Sequence, residues 1–405
     1  MGLAPYGVPR FKNLILQKLV DLKEDGTFRL DQSYFNYCTG LTMTNNRFAE
    51  LFGHPARKPE TDLLTQFHMD IAASIQAVTE EIVLRLTRKL AKEFDTSNLC
   101  LAGGVALNCV ANAKILRDGA FKNIWIQPAA GDAGGSIGAA LAAWHIEMGY
   151  DRKIRPSDGM AGAYLGPSFT QREIEESLRR GGAVFETLRE QDMIHATAQA
   201  LAEGKAVGWF QGRMEFGPRA LGNRSILGDA RSDAMQRILN LKVKFRESFR
   251  PFAPSVLREK VSEWFEIDSE SPYMLLVADV RADRRRNMSE AEKALFGIDK
   301  LNVKRSDIPA VTHVDYSARV QTVRQETNPI YHALISRFEE LTGCPVIVNT
   351  SFNVRGEPIV CTPEDAFRCF MGTDIELLVC GNAILRKEDQ NPALAEDYKH
   401  RYELD

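Results

Sequence analysis

Apolar residues recur at helical spacing over much of the first quarter of the chain. From Asp62 to Phe94, large apolar side chains follow one another every three or four residues, which predicts one long helix. Short apolar runs at Leu99–Ala102 and Asn123–Ile126 predict strands, and a glycine-containing turn follows each of them. An Ala-rich helix is expected to end near Met148. This alternation of helices and strands predicts an α/β domain.

The apolar pattern is interrupted after this domain and then resumes. The segment from Tyr150 to Ser168 is poor in large apolar residues and contains prolines and glycines, so we expect a domain boundary that separates 1–160 from 161–405. The second part again alternates helical and strand patterns, and the predicted fold class is α/β and α+β. Its predicted helices are Gln171–Arg180, 192–203, Pro329–Leu341 and one that Pro363 opens, and its predicted strands include Ala206–Phe210 and Pro345–Val348.

Basic residues concentrate between Gln211 and Arg250. This segment holds nine Lys or Arg against four acids, so it is five charges positive in a chain whose net charge is −3. Glycines lie among the arginines, and glycine lets backbone N–H groups approach a ligand closely. The planar guanidinium matches phosphate and carboxylate oxygens. The pattern favours a site for a small anion, and an exposed basic helix is the alternative.

Two glycine turns in the first domain are further candidates. Gly103 and Gly104 separate a predicted strand from a helix predicted over 105–116, where backbone N–H groups can hold a phosphate. Close packing of that helix on the sheet is the alternative. Asp132 lies in the second turn, where its carboxylate could bind a metal or cap the next helix.

Polar residues also follow the predicted strand at Pro345–Val348. Ser351 and Asn353 could hydrogen-bond a phosphate or a ribose, with a simple polar turn as the alternative. In another loop, His313 or Asp315 could serve as a general base, and a structural role is equally open.

Composition excludes several classes of function. The isoelectric point near 6.2 argues against general nucleic-acid binding, and no apolar run reaches the length of a membrane span. The seven cysteines are scattered and include no C-x-x-C pair, so we expect reduced thiols in a cytoplasmic protein. No two of the seven histidines have metal-ligand spacing.

Six motifs, in order along nearly the whole chain, resemble the O-carbamoyltransferase family, which includes nodulation-type and antibiotic-tailoring enzymes. The motifs are MGLAPYG at Met1–Gly7, LAGGVALN at Leu101–Asn108, PAAGDAGGSIGAAL at Pro128–Leu141, GRMEFGPRALGNRSIL at Gly212–Leu227, KFRESFRPFAPSVL at Lys244–Leu257 and NTSFNVRGEPIV at Asn349–Val360.

The resemblance implies a two-part enzyme. Residues 1–160 would be part of an actin/Hsp70-like (Kae1-like) domain, and 161–405 a YrdC/Sua5-like domain. In the family, the YrdC-like domain joins carbamoyl phosphate and ATP into carbamoyl adenylate. The Kae1-like domain then moves the carbamoyl group to a hydroxyl of a small-molecule or oligosaccharide acceptor, beside a divalent metal such as iron or magnesium.

The motifs also imply roles for individual residues. Arg219 and Arg250 would be catalytic and bind the phosphates of carbamoyl phosphate and ATP. Asp132 matches the metal-binding aspartate of the family. The residues expected to bind the nucleotide and carbamoyl phosphate are Gly103, Gly104, Lys244, Arg246, Ser351 and Asn353.

One departure from the family pattern concerns the metal. Family members carry an H-x-x-x-H motif ahead of MGLAPYG, and this sequence contains no H-x-x-x-H. We therefore expect an incomplete metal site and a Kae1-like domain without its N-terminal half, through truncation, a split gene or pairing with a separate N-terminal lobe. A subunit that binds ATP and carbamoyl phosphate but needs that partner for transfer is the alternative function, and a homodimer also stays open.

A third hypothesis is an enzyme of the threonylcarbamoyl-adenylate type that acts in tRNA modification. It rests on fold analogy only, and the acidic isoelectric point counts against it. Neither nucleic acid nor a membrane is expected as a partner.

Overall fold

The computed structural model describes residues 1–58, 61–154, 157–244, 252–295, 300, 303–395 and 398. Arg246 and Arg250, two of the predicted site residues, lie outside this set. The chain divides into two compact units. The first comprises Met1–Cys100, Val110–Trp125 and Leu295–Lys300, and the second comprises Leu101–Cys109, Ile126–Ala294 and Leu301–Asp405.

Helices and two short pairs of strands make up the N-terminal third of the described chain. The helices are α1 (Lys12–Lys18), α2 (Asn46–Phe52), α3 (Gln66–Phe94), α4 (Cys109–Asp118) and α5 (Gly134–Ala142), which a π-helical turn (Ala143–Glu147) extends. The strands are β1 (Val20–Leu22), β2 (Phe28–Leu30), β3 (Asn98–Leu101) and β4 (Asn123–Ile126), and they pair as β1 with β2 and β3 with β4.

In the first unit, the N-terminal motif packs on α3 around one buried carboxylate. Asp70 accepts hydrogen bonds from the Val8 backbone N–H (2.8 Å) and from Gln66 Nε2 (2.7 Å), and it forms an ion pair with Arg10 (2.8 Å). A Cβ on Gly7 would lie 2.1 Å from the Met69 carbonyl oxygen. The backbone of the motif can therefore approach the helix only where residue 7 has no side chain.

The second unit is built on a large mixed sheet. Its strands are β5 (Glu186–Thr187), β6 (Val207–Phe210), β7 (Arg224–Asp229), β8 (Ala253–Leu257), β9 (Leu276–Asp279), β10 (Ser317–Val323), β11 (Val346–Ser351), β12 (Leu377–Cys380) and β13 (Ala383–Arg386). Within the described residues the nine strands have the order β5-β13-β12-β6-β7-β11-β8-β10-β9. Two pairs, β12 with β6 and β10 with β8, are parallel, and the other six are antiparallel.

Helices cover this sheet and complete its core. They are α6 (Gln171–Arg180), α7 (Glu190–Ala202), α8 (Met235–Ile238), α9 (Val261–Trp264), α10 (Glu290–Lys293), α11 (Pro329–Thr342) and α12 (Pro363–Met371). All four residues of β6 and all five of β8 are buried, as expected for central strands with both faces covered. Among the described residues, no helix combines the length and the hydrophobicity that crossing a membrane requires.

Several elements differ from the sequence-based expectations for physical reasons. Helix α3 begins at Gln66 rather than near Asp62, because Thr65 and His68 form a capping box in which the Thr65 N–H donates to His68 Nδ1 (3.0 Å). The helix expected from residue 105 is a 3-10 turn (Gly104–Leu107), since Asn108 has the non-helical angles φ −79° and ψ 86° ahead of α4.

The basic segment shows a similar difference. An exposed basic helix is not what its described part shows, because α8 and the π-helical turn that extends it (Leu239–Val243) bury Met235, Leu239 and Val243. The described arginines of the segment lie mainly on loops and on β7.

Candidate anion-binding site

The loop that carries Arg219, here called the arginine loop (Gly217–Asn223), is fixed by hydrogen bonds to its backbone. Its donors come from separate strands and from the segment before α6, so the loop is held from several sides. Asn349 Nδ2 donates to the Ala220 carbonyl (3.2 Å), Gln321 Nε2 and Tyr164 Oη donate to that of Leu221 (both 2.8 Å), and Trp209 Nε1 donates to that of Gly222 (2.9 Å).

A buried carboxylate holds the N–H groups of the same loop. Glu215 Oε1 accepts from the backbone N–H groups of Leu221 (2.6 Å), Asn223 (2.9 Å) and Arg224 (3.4 Å). Burial raises the pKa of Glu215, although these hydrogen bonds act in the opposite direction. Because both the carbonyls and the N–H groups of the loop are engaged, its conformation is set before any ligand arrives.

Arg224 has a structural role in this arrangement. Its side chain is fully buried, and Nη1 donates to the carbonyls of Gln211 (2.6 Å) and Asn223 (2.9 Å). The guanidinium carbon lies 3.6 Å from the centre of the Phe210 ring. Burial lowers the pKa of Arg224 to about 10, while the negative charge of Glu215 favours the charged form. Arg224 therefore fastens the loop and β7 rather than reaching a ligand.

Arg219 differs from Arg224 because its guanidinium is only weakly engaged. Nη2 makes a long 3.5 Å contact with the Leu107 carbonyl, and Nε is buried without a partner among the described residues. The like charge of Arg319, followed by burial, lowers the pKa of Arg219 to about 10. Arg219 thus lies close enough to Arg319 for the two charges to repel each other.

Arg319 lies on β10 and is the second cation of this site. Burial lowers its pKa, and no described side chain or carbonyl forms a hydrogen bond or ion pair with its guanidinium. The nearby thiol of Cys109 supplies no balancing charge, because burial raises its pKa and keeps it protonated at neutral pH. The two arginines form a cationic site without a carboxylate of the described residues to neutralise it.

The glycine turn of the first predicted domain borders this site. The Gly103 N–H donates to the Ala130 carbonyl (2.8 Å), and Leu107 contacts Arg219 as described above. A Cβ on Gly103 or Gly104 would meet no atom within 4 Å, so close helix–sheet packing does not explain these glycines. Gly103 has φ +98°, which does require glycine. In the arginine loop, a Cβ on Gly217 would lie 2.9 Å from the Pro128 carbonyl oxygen. The arginine loop is therefore in close contact with the turn that follows β4.

Lys244, Ser351 and Asn353 form a second group, which we call the lysine clamp. Lys244 Nζ donates to Asn353 Oδ1 (2.8 Å), to the Asn353 carbonyl (2.7 Å), to Ser351 Oγ (3.3 Å) and to the Ser351 carbonyl. Ser351 Oγ also donates to Asn353 Oδ1 (2.7 Å). The ammonium is buried among these oxygens, so in this structure its donors order the end of β11.

The lysine clamp and the arginine loop meet at the same edge of the sheet. The arginine loop leads into β7, whose residue Ser225 pairs with Ser351 at the end of β11. The next residue, Phe352, donates its N–H to the Arg224 carbonyl (3.0 Å). The structure thus brings the arginine loop and the lysine clamp to neighbouring ends of β7 and β11.

Two family models match this chain. The model described as carbamoyltransferase N-terminus matches residues 1–141, and that described as carbamoyltransferase C-terminus matches residues 198–387. The chain belongs to the carbamoyltransferase family. The glycine turn lies within the N-terminal match, whereas the arginine loop, Arg319 and the lysine clamp lie within the C-terminal match.

Several relatives are similar to nearly the whole chain. An uncharacterized protein of Synechocystis sp. is 61% identical over 100% of this chain and 66% of its own length. The nodulation protein NolO of Bradyrhizobium diazoefficiens is 39% identical over 98% of the chain and 66% of its own length. The nodulation protein NolNO of Sinorhizobium fredii is 39% identical over 97% of the chain and 53% of its own length. The chain therefore spans between half and two thirds of these relatives.

The metal expected from the family resemblance does not fit the residues described. Asp132 is exposed, and its backbone carbonyl accepts from the Gly135 N–H (3.0 Å). Outside the gaps in the described chain, no three His, Cys, Asp or Glu residues cluster in a way that could hold a metal ion. One exposed carboxylate is not a donor set for iron or magnesium.

His313 and Asp315, the two candidates for a general base, form a pair with each other in a separate loop. His313 is buried, and its Nδ1 lies 3.5 Å from Asp315 Oδ1. Burial opposes ionisation of Asp315, but hydrogen bonds from His313 and Ser317 prevail and lower its pKa to about 2. A carboxylate with so low a pKa is a poor general base at neutral pH, which disfavours that role for Asp315.

Arg319 is the site residue that sequence analysis missed. It stands in the apolar strand sequence SARVQTV of β10, where a single arginine with no acid beside it was the available signal. The sequence distance of 100 residues from Arg219 hides their proximity, which arises only when the sheet forms.

Proposed function

We propose that this chain carries the carbamoyl-activating part of an ATP-dependent O-carbamoyltransferase. Carbamoyl phosphate, ATP and water would be its substrates, and carbamoyl adenylate, pyrophosphate and inorganic phosphate its products. The carbamoyl group would then pass to a hydroxyl of a sugar-containing acceptor. One observation carries the proposal, namely that Arg219 and Arg319, both partly buried, lie close enough to repel each other and have no balancing carboxylate among the described residues.

The charge balance of the site favours a compact anion. Holding two guanidiniums that repel each other in a partly desolvated place costs free energy. An anion bound between them would offset that cost. A phosphate group carries the charge and the oxygen geometry that arginine binds in bidentate fashion. The fixed arginine loop would supply this cation without reorganisation when charge develops on the transferring groups. Carbamoyl phosphate fits these requirements better than a neutral ligand.

The proposal extends to the domains. Residues 1–160 would form part of a Kae1-like domain of the actin/Hsp70 type, and 161–405 a YrdC/Sua5-like domain with Lys244, Ser351 and Asn353 near the nucleotide. The large mixed sheet, with the lysine clamp at the end of β11, supports the YrdC/Sua5-like assignment. Arg246 and Arg250 are proposed to add phosphate contacts, and they lie outside the described residues.

A second candidate is a subunit that activates carbamoyl phosphate but transfers the group only with a partner polypeptide. The apolar α5 and its π-helical extension favour it, because none of their residues is buried. Leu141, Trp144 and Ile146 are exposed by 52%, 48% and 81%. A helix normally gains its stability by burying an apolar face. The partner would be a polypeptide like the additional third or more of the longer relatives.

Pyrophosphate release tests the activation step. The purified chain should release pyrophosphate from ATP only when carbamoyl phosphate is present. Arg219→Gln should reduce this release by about tenfold or more, the scale of a lost hydrogen bond to a charged group. Arg213→Gln is the matched control, because Arg213 is exposed on the preceding turn and, among the described residues, its side chain donates to the Leu165 carbonyl alone (3.3 Å).

Each outcome of this experiment is informative. No carbamoyl-phosphate-dependent release by the wild-type chain would contradict the activation step, and equal rates for both variants would remove Arg219 from the site. Mass spectrometry of sugar acceptors then separates the two candidates. A carbamoylated acceptor with this chain alone supports the complete transferase, whereas a product that appears only after the partner region is added supports the subunit.

A further inference from the structure

A tyrosine near the end of the chain is buried against the second unit. Tyr398 is exposed by only 2%. Its ring rests on Gly372, where a Cβ would lie 2.4 Å from Tyr398 Cγ. Gly372 has no positive φ that would require glycine, so the close approach of the ring accounts for the missing side chain. Tyr398 therefore occupies a place that the fold leaves open for it.

The hydroxyl of Tyr398 is bound to a buried carboxylate. It donates a short hydrogen bond to Glu357 Oε1, and Arg368 Nε donates to the hydroxyl oxygen (3.4 Å). The second oxygen of the carboxylate, Glu357 Oε2, accepts from the Val354 backbone N–H (2.9 Å). One carboxylate thus joins the end of the chain to the start of the turn Asn353–Glu357, which we call the Asn353 turn.

The Asn353 turn continues this connection to the lysine clamp. Asn353 Nδ2 donates to the Glu357 carbonyl (2.6 Å), which closes the turn. The other atom of the same amide, Oδ1, accepts from Lys244 Nζ (2.8 Å) and Ser351 Oγ (2.7 Å). The orientation of the Asn353 amide is therefore set on one side by Glu357 and on the other by the clamp.

We propose that Tyr398 is a positioning residue for the site, acting through Glu357 and the Asn353 turn on the lysine clamp. The inference rests on the proposed function, because it assumes that the clamp shapes the place where carbamoyl phosphate and ATP bind. Without the hydroxyl, the carboxylate loses a buried donor and holds the turn less firmly. Tyr398 lies outside residues 198–387, the range that the C-terminal family model matches.

Tyr398→Phe is the most direct test, since it keeps the ring on Gly372 and removes only the hydroxyl. We expect hydrogen exchange of the Val354 and Glu357 amides to accelerate by about tenfold, the scale of a hydrogen bond to a charged group. In the pyrophosphate assay the KM for carbamoyl phosphate or ATP should rise severalfold with a smaller change in kcat. Tyr37→Phe is the control, because Tyr37 is exposed and its hydroxyl only accepts from Gln32 Nε2.

A second variant covers the case in which Tyr398→Phe unfolds. Glu357→Gln keeps the size of the side chain but has one oxygen instead of two, so it cannot accept from both Tyr398 and Val354. It should accelerate exchange in the same turn. Faster exchange across the whole second unit, or local acceleration with an unchanged KM, would overturn the positioning role. A wild-type chain without pyrophosphate release contradicts the proposed function instead, and hydrogen exchange still reports on the turn.

Discussion

Replacing Arg319 by methionine should make the unliganded protein more stable. Methionine keeps the length of the side chain and removes the charge that faces Arg219. Arg219 and Arg319 have no carboxylate partner among the described residues, so their repulsion is uncompensated until an anion binds. A buried charge replaced by an apolar side chain of similar size is often neutral or stabilising.

The structure indicates the size of the effect. The charge of Arg319, with burial as the second cause, lowers the pKa of Arg219 to about 10. A lowering of the Arg219 pKa by this amount corresponds to about 3 kcal/mol of free energy that opposes its charged form. Since Arg319 is the larger of the two causes, its removal should raise the free energy of unfolding by roughly 1–2 kcal/mol.

Urea denaturation at neutral pH and low ionic strength measures this change, because urea does not screen charges. The experiment is run first without phosphate and then with increasing inorganic phosphate. The wild-type protein should gain stability as phosphate binds the folded state, whereas Arg319→Met should gain much less. Arg319→Lys is the matched control, because it keeps the charge and should retain both the repulsion and part of the response.

Two results would refute the reasoning. If Arg319→Met lowers the stability of the phosphate-free protein, the guanidinium contributes packing or contacts that outweigh its repulsion with Arg219. If Arg319→Met retains the full response to phosphate, the anion binds elsewhere, and the carbamoyl phosphate site must be sought among other cations.

Two further predictions concern stability. Gly222 has φ +104°, and a Cβ there would lie 2.3 Å from the ring of the buried Tyr331, so Gly222→Ala should cost about 2–4 kcal/mol in urea unfolding. Gly343→Ala, with φ +71° and no atom within 4 Å, should cost only about 1 kcal/mol, and equal losses would contradict the steric argument. Asp315 has its pKa lowered to about 2, so its ionised form stabilises the fold above its ordinary pKa, and this contribution is lost as the pH falls towards 2. Asp315→Asn should therefore lose stability at pH 6 and differ less from wild type near pH 3, and a constant difference would contradict this assignment.

Elements with local start signals were predictable from sequence. Helix α6 runs from Gln171 to Arg180 as expected, because Thr170 and Glu173 form a capping box. Helix α12 begins at Pro363 as expected, behind the N-cap Thr362. Short elements of residues 1–60, such as α1, were not predicted from the irregular local pattern. They are stabilised by contacts distant in sequence, such as the hydrogen bond from the Phe11 N–H to Ser74 Oγ (3.1 Å).

The chemistry of the site was only partly visible in the sequence. Lys244, Ser351 and Asn353 were predicted as a group, and the structure brings them into mutual contact. Their roles as ligands stay a prediction. The sequence motifs pointed to Arg219, but the structural role of Arg224, five positions away, was not predicted, because it depends on which carbonyls and carboxylates the fold places around each guanidinium. Arg319 was missed for the same reason.

The fold uses several basic residues of the basic segment for its own construction. Arg224 binds backbone carbonyls, Arg231 forms a two-contact pair with Asp229 (2.7 Å and 3.0 Å), and Lys244 holds the end of β11. These cations are neutralised or solvated by the protein itself, so they offer little to a ligand. Arg219 is different, because the largest cause of its lowered pKa is the charge of another arginine, Arg319. A net charge of +5 in the segment therefore does not measure the anion site, in which Arg219 is joined by Arg319 from outside the segment.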